Sequence, residues 1–167
     1  MNKEFRIMIA GSRTFNDYKL VQKTLEEELS KRNIIKDEYN IIIISGKAKG
    51  ADELGELYAR DNNLTVEEYP AKWDDLKATP CKVKYNKWGN PYNCLAGINR
   101  NTDMINVSDL VIIFWDSKSK GSLDDINKCK KWNKDYVLVE YKKLMRWLCR
   151  LIETINNNIC NTLNLNK

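Results

Sequence analysis

Five short apolar runs rich in β-branched residues, at 5–10, 40–45, 64–69, 110–115 and 136–141, recur along the chain with helical periods between them. Four of them are near-continuously apolar, the pattern of strands buried on both faces. In the intervals, Tyr18, Val21, Leu25 and Leu29 fall on one helical face behind a start signal at Asn16 and Asp17, and Leu54, Leu57 and Tyr58 do so after Gly50. Ile98 and Ile105 lie two turns apart, and Leu123 and Ile126 mark a fourth helix. Strands alternating with helices predict right-handed βαβ units, hence an α/β fold: a Rossmann-like three-layer sandwich around a mainly parallel five-stranded sheet. Ligands of such sheets sit at the carboxyl ends of the strands.

Two segments fall outside the alternation. Residues 71–94 carry Trp73, Trp88, Pro80, Pro91, Gly89 and several lysines, and are longer than an ordinary connector, so a functional lid or insert is expected there. From residue 142 onward, Leu144, Trp147, Leu148, Leu151, Ile152 and Ile155 keep helical spacing before the sequence turns Asn-rich. An apolar stripe of that length needs cover, from the protein's own helices or from a second subunit, and a homodimer or higher homo-oligomer is expected. There is no linker, internal repeat or second-domain boundary, and 167 residues suit one domain.

Composition narrows the chemistry. With no histidine, a Ser-His-Asp or Cys-His catalytic pair and a His-ligated metal are excluded, which leaves carboxylates, Arg, Lys, hydroxyls and backbone groups. Cys81, Cys94, Cys129, Cys149 and Cys160 are odd in number and form no C-x-x-C pair, so neither a disulfide framework nor a zinc site is legible, and no metal or cofactor is expected. The first apolar run is too short and too interrupted by charge for a signal peptide or a membrane span, so a cytoplasmic protein without membrane contact is expected. A net charge of +5, from 28 basic and 23 acidic residues, is a mild attraction for anions.

Three strand ends run directly into glycine-containing, hydroxyl-bearing turns: Gly11, Ser12 and Arg13 after the first; Ser45, Gly46, Lys47, Lys49, Gly50 and Asp52 after the second; Asp116, Ser119, Lys120, Gly121 and Ser122 after the fourth. Such turns let backbone N–H groups and a helix N-terminus approach a phosphate. A single lysine in a turn is ordinarily solvated, but Arg13, Lys47, Lys49, Lys118 and Lys120 on one sheet edge favour an anionic ligand. The spacing of Gly46 and Gly50 excludes a P-loop. Asp52 and Asp125 stand in first helical turns, where a carboxylate also favours the helix dipole, so structural and functional roles are both open. Asp116 either binds ribose hydroxyls or caps its turn, and Trp73 and Trp88 either stack a base or pack.

Four ordered blocks carry a family resemblance: Met8 to Phe15, Ile44 to Asp52, Asn99-Arg100-Asn101 through Met104, and Phe114-Trp115-Asp116 with Ser119 to Ser122. Together they resemble the YspA-like branch of the SLOG superfamily, named for the Smf/DprA and LOG proteins. The resemblance implies a Rossmann-like domain over residues 1–141, with the 71–94 insert inside it and 142–167 as part of the same domain. It implies binding of nucleotides or nucleotide-derived, ADP-ribose-like ligands, in a sensor or a sequestering protein. One branch, the LOG proteins, hydrolyses the N-glycosidic bond of nucleoside 5′-monophosphates through an Arg and a Glu in a P-G-G-x-G-T-x-x-E pattern. Laid on that pattern, Asp125 falls where the Glu stands and Arg100 near the arginine, so these two are the catalytic candidates if the chain is an enzyme.

The departures are that Asp116-Ser117-Lys118 replaces Pro-Gly-Gly, the acid is one methylene shorter, and Lys47 stands where a second glycine is usual. They favour a binding protein over a phosphoribohydrolase. Single-stranded DNA binding of the DprA kind ranks below both, since it asks for a longer basic track with interleaved aromatics, and a nucleic-acid partner is not expected.

Overall fold

The computed structural model describes residues 3–141. Along the chain run β1 (Lys3–Gly11), α1 (Tyr18–Lys31), β2 (Tyr39–Ser45), α2 (Ala51–Asp61), β3 (Thr65–Glu68), β4 (Val83–Tyr85), β5 (Pro91–Asn93), α3 (Ala96–Val107), β6 (Leu110–Trp115), α4 (Lys120–Lys131) and β7 (Tyr136–Glu140). The five apolar runs become one sheet in the order β3-β2-β1-β6-β7, parallel at every pairing. This is the α/β, Rossmann-like arrangement that the alternation predicts. The strand order reverses direction between β1 and β6, the switch point where open parallel sheets leave a crevice.

Strand alternation divides the core in two. Ile7 and Ile9 of β1, Ile41 and Ile43 of β2, and Leu110, Ile112 and Phe114 of β6 pack under α1 and α2. Met8, Ala10, Ile44, Val111 and Ile113 face the opposite way and pack under α3 and α4 with Met104, Ile105, Ile126 and Cys129. Both faces of the central strands are thus dry, which is why their sequences read as unbroken apolar runs. The α1 helix starts where the sequence signals it: the Asp17 carboxylate accepts the Leu20 N–H at 3.0 Å, an N-cap.

The helical faces differ from expectation in three places. On α2 the residues turned inward are Ala51, Gly55, Tyr58 and Ala59, while Leu54 and Leu57 are half-buried. The cause is close approach, because a Cβ on Gly55 would lie 2.8 Å from the Ile9 Cβ. Only glycine lets the helix seat this deeply, and the bulkier leucines are displaced to its flank. Gly55→Val is therefore expected to cost about 3 kcal/mol by overpacking, read as a lower urea midpoint with an unchanged slope. Ile98 and Leu123 remain 39% and 43% exposed, whereas Ile105 and Ile126 are buried. Ile98 borders the cleft described below, so its apolar surface faces a site and not the core.

The 71–94 segment forms a structure of its own, an antiparallel hairpin of β4 and β5. Its root is tied by the fully buried Asn93, whose Oδ1 accepts from the N–H groups of Lys82 (3.1 Å) and Leu95 (3.0 Å) and whose own N–H donates to the Trp73 carbonyl (2.8 Å). Cys81, Cys94 and Cys129 are unpaired thiols. Among the described residues no helix is long and apolar enough to cross a membrane. The tail at 142–167, on which the helix and oligomer expectations rest, lies outside the described residues, as do Cys149 and Cys160.

Candidate functional site

The turns after β1 and β6 border a cleft of about 470 Å3 at the carboxyl edge of the sheet, over the switch point. Ser12 joins the two turns: its N–H donates to the Phe114 carbonyl at 2.9 Å, and its Oγ accepts the Asp116 N–H at 3.1 Å. The turn after β2 is locked to the same point through Gly50, at φ 91°, where a Cβ would sit 2.5 Å from the Ser12 carbonyl oxygen. That left-handed φ and that contact both require glycine.

Of the residues predicted from sequence, the cleft brings together Gly11, Ser12, Arg13, Asp52, Arg100, Asp116, Ser119, Gly121, Ser122 and Asp125. It does not include Ser45, Gly46, Lys47, Lys49, Gly50 or Lys120. Gly46, Lys47 and Lys49 line an adjoining cleft of about 380 Å3, which shares Arg13, Ala48, Trp73 and Arg100 with the first. Ser45 is fully buried and donates to Glu56 at 2.5 Å. Lys47 is held by two carboxylates, Glu56 at 2.8 Å and Glu68 at 3.0 Å, which hold its ammonium above the ordinary lysine value. Lys118 and Lys120 are exposed beside the third turn. Asn101 and Thr14, which the sequence marks only as parts of the resembling blocks, also line the main cleft.

Two carboxyls and one guanidinium form the cleft's buried polar centre. Asp52 accepts from the N–H groups of Gly46 (3.0 Å) and Ala48 (3.4 Å), so it pins the β2–α2 turn as well as facing the cleft. Burial pushes its carboxyl up to about 6, against the opposing pull of Arg100 and these amides. Asp125, 2% exposed, accepts from the Asn101 Nδ2 on both oxygens, at 2.9 and 2.8 Å. Burial pushes it up to about 7, although Asn101 and Lys128 favour its charge. Its neighbour Asp124 points away and pairs with Lys128 at 2.5 Å.

Arg100 reaches the cleft from α3 and donates through Nη1 to the Gly46 carbonyl and, at 3.4 Å, to that of Tyr69. Burial lowers its pKa, opposed by Asp52 and Asp125. Its Nε is buried and has no partner. Asp116 caps its turn, accepting from Lys118 N–H at 3.0 Å and Ser119 N–H at 2.8 Å. Although burial works the other way, these N–H groups and the Ser12 hydroxyl hold its carboxyl below the usual range. The arrangement offers cations and backbone amides for an anion, carboxyls for hydroxyl groups, and one carboxyl able to carry a proton at neutral pH. Among the described residues no group of three or more Cys, Asp or Glu is placed to hold a metal ion.

Comparison with known proteins bears on the same elements. The profile of the YspA, cpYpsA-related SLOG family matches residues 5–75, the stretch from β1 through β3 that supplies the first two turns. No curated protein matches the chain. Among solved structures, the chain is similar to DNA processing protein A (DprA) from Streptococcus pneumoniae, with a TM-score of 0.58 and 20% identity over 85% of this chain and 52% of that one. The chain thus spans about half the length of that protein, and the likeness is one of fold. The matched profile and the turns at Gly11 and Gly46 lie in the same stretch: over residues 5–75 the chain is similar to the YspA, cpYpsA-related SLOG family, and it shares its fold with DprA.

Proposed function

We propose that the protein binds a nucleotide or a nucleotide-derived, ADP-ribose-like small molecule in the cleft over the switch point, as a sensor or a sequestering protein. One juxtaposition carries the reading: Arg100, with an unpartnered buried Nε, stands beside two buried carboxyls at the meeting point of the β1 and β6 turns. A phosphate satisfies the guanidinium and the turn amides, ribose hydroxyls satisfy Asp52 and Asp125, and Trp73 at the rim offers a face for a base. A ligand at 100 times its Kd is expected to stabilise the fold by about 2.7 kcal/mol, roughly 5–11 °C in Tm at this size. The check is a thermal-shift panel of mono-, di- and cyclic nucleotides, ADP-ribose and NAD. No movement beyond about a degree from any of them removes the reading.

A second reading, N-glycosidic hydrolysis of nucleoside 5′-monophosphates, draws on Asp125. It is the inward member of the Asp124–Asp125 pair, and its raised pKa suits a group that protonates a leaving base. In that reading Arg100 holds the phosphate. Release of free base from a nucleoside monophosphate distinguishes it from simple binding.

A further inference from the structure

The hairpin at 82–92 shows its aromatic rings to solvent. Tyr85 is 70% exposed and Trp88 72%, with Val83 at 45% on the same strand. The backbone of the turn that carries Trp88 is fixed: the Asn86 Oδ1 accepts from the N–H groups of Trp88 (2.9 Å) and Asn90 (3.0 Å), the Asn86 N–H donates to the Asn90 carbonyl, and its own carbonyl accepts the Gly89 N–H. Lys87 lies 4.3 Å from the Trp88 ring centroid. A turn fixed this closely while leaving a tryptophan in water is built to present it.

The charge around the rings has one sign. Between Asp75 and Asp103 the sequence holds Lys77, Lys82, Lys84, Lys87 and Arg100 and no acidic residue. The first four form no ion pair among the described residues. In β4 the side chains of Val83 and Tyr85 share one face and Lys84 takes the other, so rings and cations alternate along one short ribbon, with Lys84 reaching round its edge from the opposite face. The ribbon leads to the cleft, since Trp73, whose carbonyl receives the Asn93 N–H at the hairpin root, also lines the cleft wall.

We infer that this hairpin is a docking surface for a single-stranded polynucleotide, whose bases stack on Tyr85 and Trp88 and whose phosphates meet Lys82, Lys84 and Lys87. Exposed flat rings interleaved with unpaired cations match stacked bases on a charged backbone. Two copies of the hairpin meeting face to face would set these lysines against one another. A lipid surface asks for aliphatic side chains at the tip, where this turn has Asn86, Lys87, Gly89 and Asn90 around one tryptophan. The inference goes beyond the small-molecule reading of the cleft and runs against the expectation of no nucleic-acid partner, because this hairpin places the rings and lysines of the 71–94 segment on one short ribbon.

The test is fluorescence anisotropy of labelled oligo-dT and oligo-U, about 20 nucleotides long, titrated with the full chain at about 50 mM salt. Binding is expected with either or both sugars, the pair of probes showing whether DNA or RNA is preferred. Affinity should fall roughly 20- to 50-fold on raising salt to about 200 mM, as neutralising three or four phosphates requires. Tyr85→Ala and Trp88→Ala, both at exposed positions, should each weaken binding about tenfold, with Tm unchanged, and Lys84→Glu should weaken it as well. No binding to either probe, unchanged affinity in the ring variants, or binding to anionic phosphatidylserine vesicles alone overturns the inference. Loss of oligonucleotide binding in the ring variants while the mononucleotide thermal shift persists separates this surface from the cleft. Oligonucleotide binding with no mononucleotide shift leaves the hairpin standing and removes the cleft reading instead.

Discussion

At pH 8, Asp125→Asn is expected to melt above the parent protein, by about 2–3 kcal/mol or roughly 5–10 °C. The unfolded chain gives up this proton near the ordinary 3.8, whereas the folded protein holds it up to about 7. Between those values the native state binds the extra proton, so the stability it confers is present at low pH and is lost as pH rises through about 7. The full span is worth about 4 kcal/mol, and the variant forfeits part of the gain through a weaker bond to Asn101. Asp52, raised to about 6, adds a smaller slope of the same sign that the variant keeps. Melting curves from pH 4 to 8 should therefore converge at the acid end and separate at the alkaline end. A variant less stable than the parent at pH 8 would mean that the Asn101 bonds outweigh the cost of burying the charge. The same protein decides the enzymatic reading: base release, if the parent shows it, should vanish in Asp125→Asn and survive in Asp124→Asn, whose side chain faces Lys128.

Arg100→Ala is expected to reduce affinity for a nucleotide ligand by about 100-fold, the size of losing a buried charge-assisted contact. It also strips Asp52 of the cation that favours its charge and leaves Asp125 with Lys128 alone, which should destabilise the free protein by about 3 kcal/mol at pH 8. At pH 5 both carboxyls hold their protons, and less than about half of that loss should remain. Urea titrations at the two pH values supply the check. A loss of equal size at both would place the role of Arg100 in its contact with the Gly46 carbonyl and not in charge compensation.

The sheet was legible because its strands are buried on both faces, which leaves apolar runs that survive without neighbours to interpret them. Even β3, with exposed Thr65 and Glu68 at its ends, was found within the run at 64–69. Helical faces were read less well where tertiary fit overrides amphipathic spacing. Nothing in the α2 sequence announces that Gly55, and not Leu54, meets Ile9. The β4–β5 hairpin leaves no strand signal in the sequence because its strands are three residues each, too short for an alternating pattern to declare itself, and one of them begins with Pro91.

At the site, the turns were recognisable by their glycines, and Arg100 and Asp125 by their place in a family pattern. The partition of the basic residues was not. Lys47 looks like a phosphate ligand until Glu56, nine positions on, and Glu68, across the sheet, are folded against it. Asn101 carried one signal, its place beside Arg100 in the third block of the resemblance. Only the helix-to-helix contact shows its amide spanning both oxygens of Asp125.

Ser12 ties together strands that are distant in sequence, and this divides the molecule by tolerance to change. A substitution in the floor of the cleft disturbs β1, β6 and the start of α2 at once, because the Ser12 bonds to Phe114 and Asp116 and the packing against Gly50 share one residue. The stretch from 83 to 91 carries no such burden: every one of its side chains is exposed, and its anchor, Asn93, lies outside it. Variation can therefore accumulate at the mouth while the floor stays fixed. A library randomised over the hairpin keeps the fold and samples partners, whereas one randomised over the three turns chiefly samples unfolded chains.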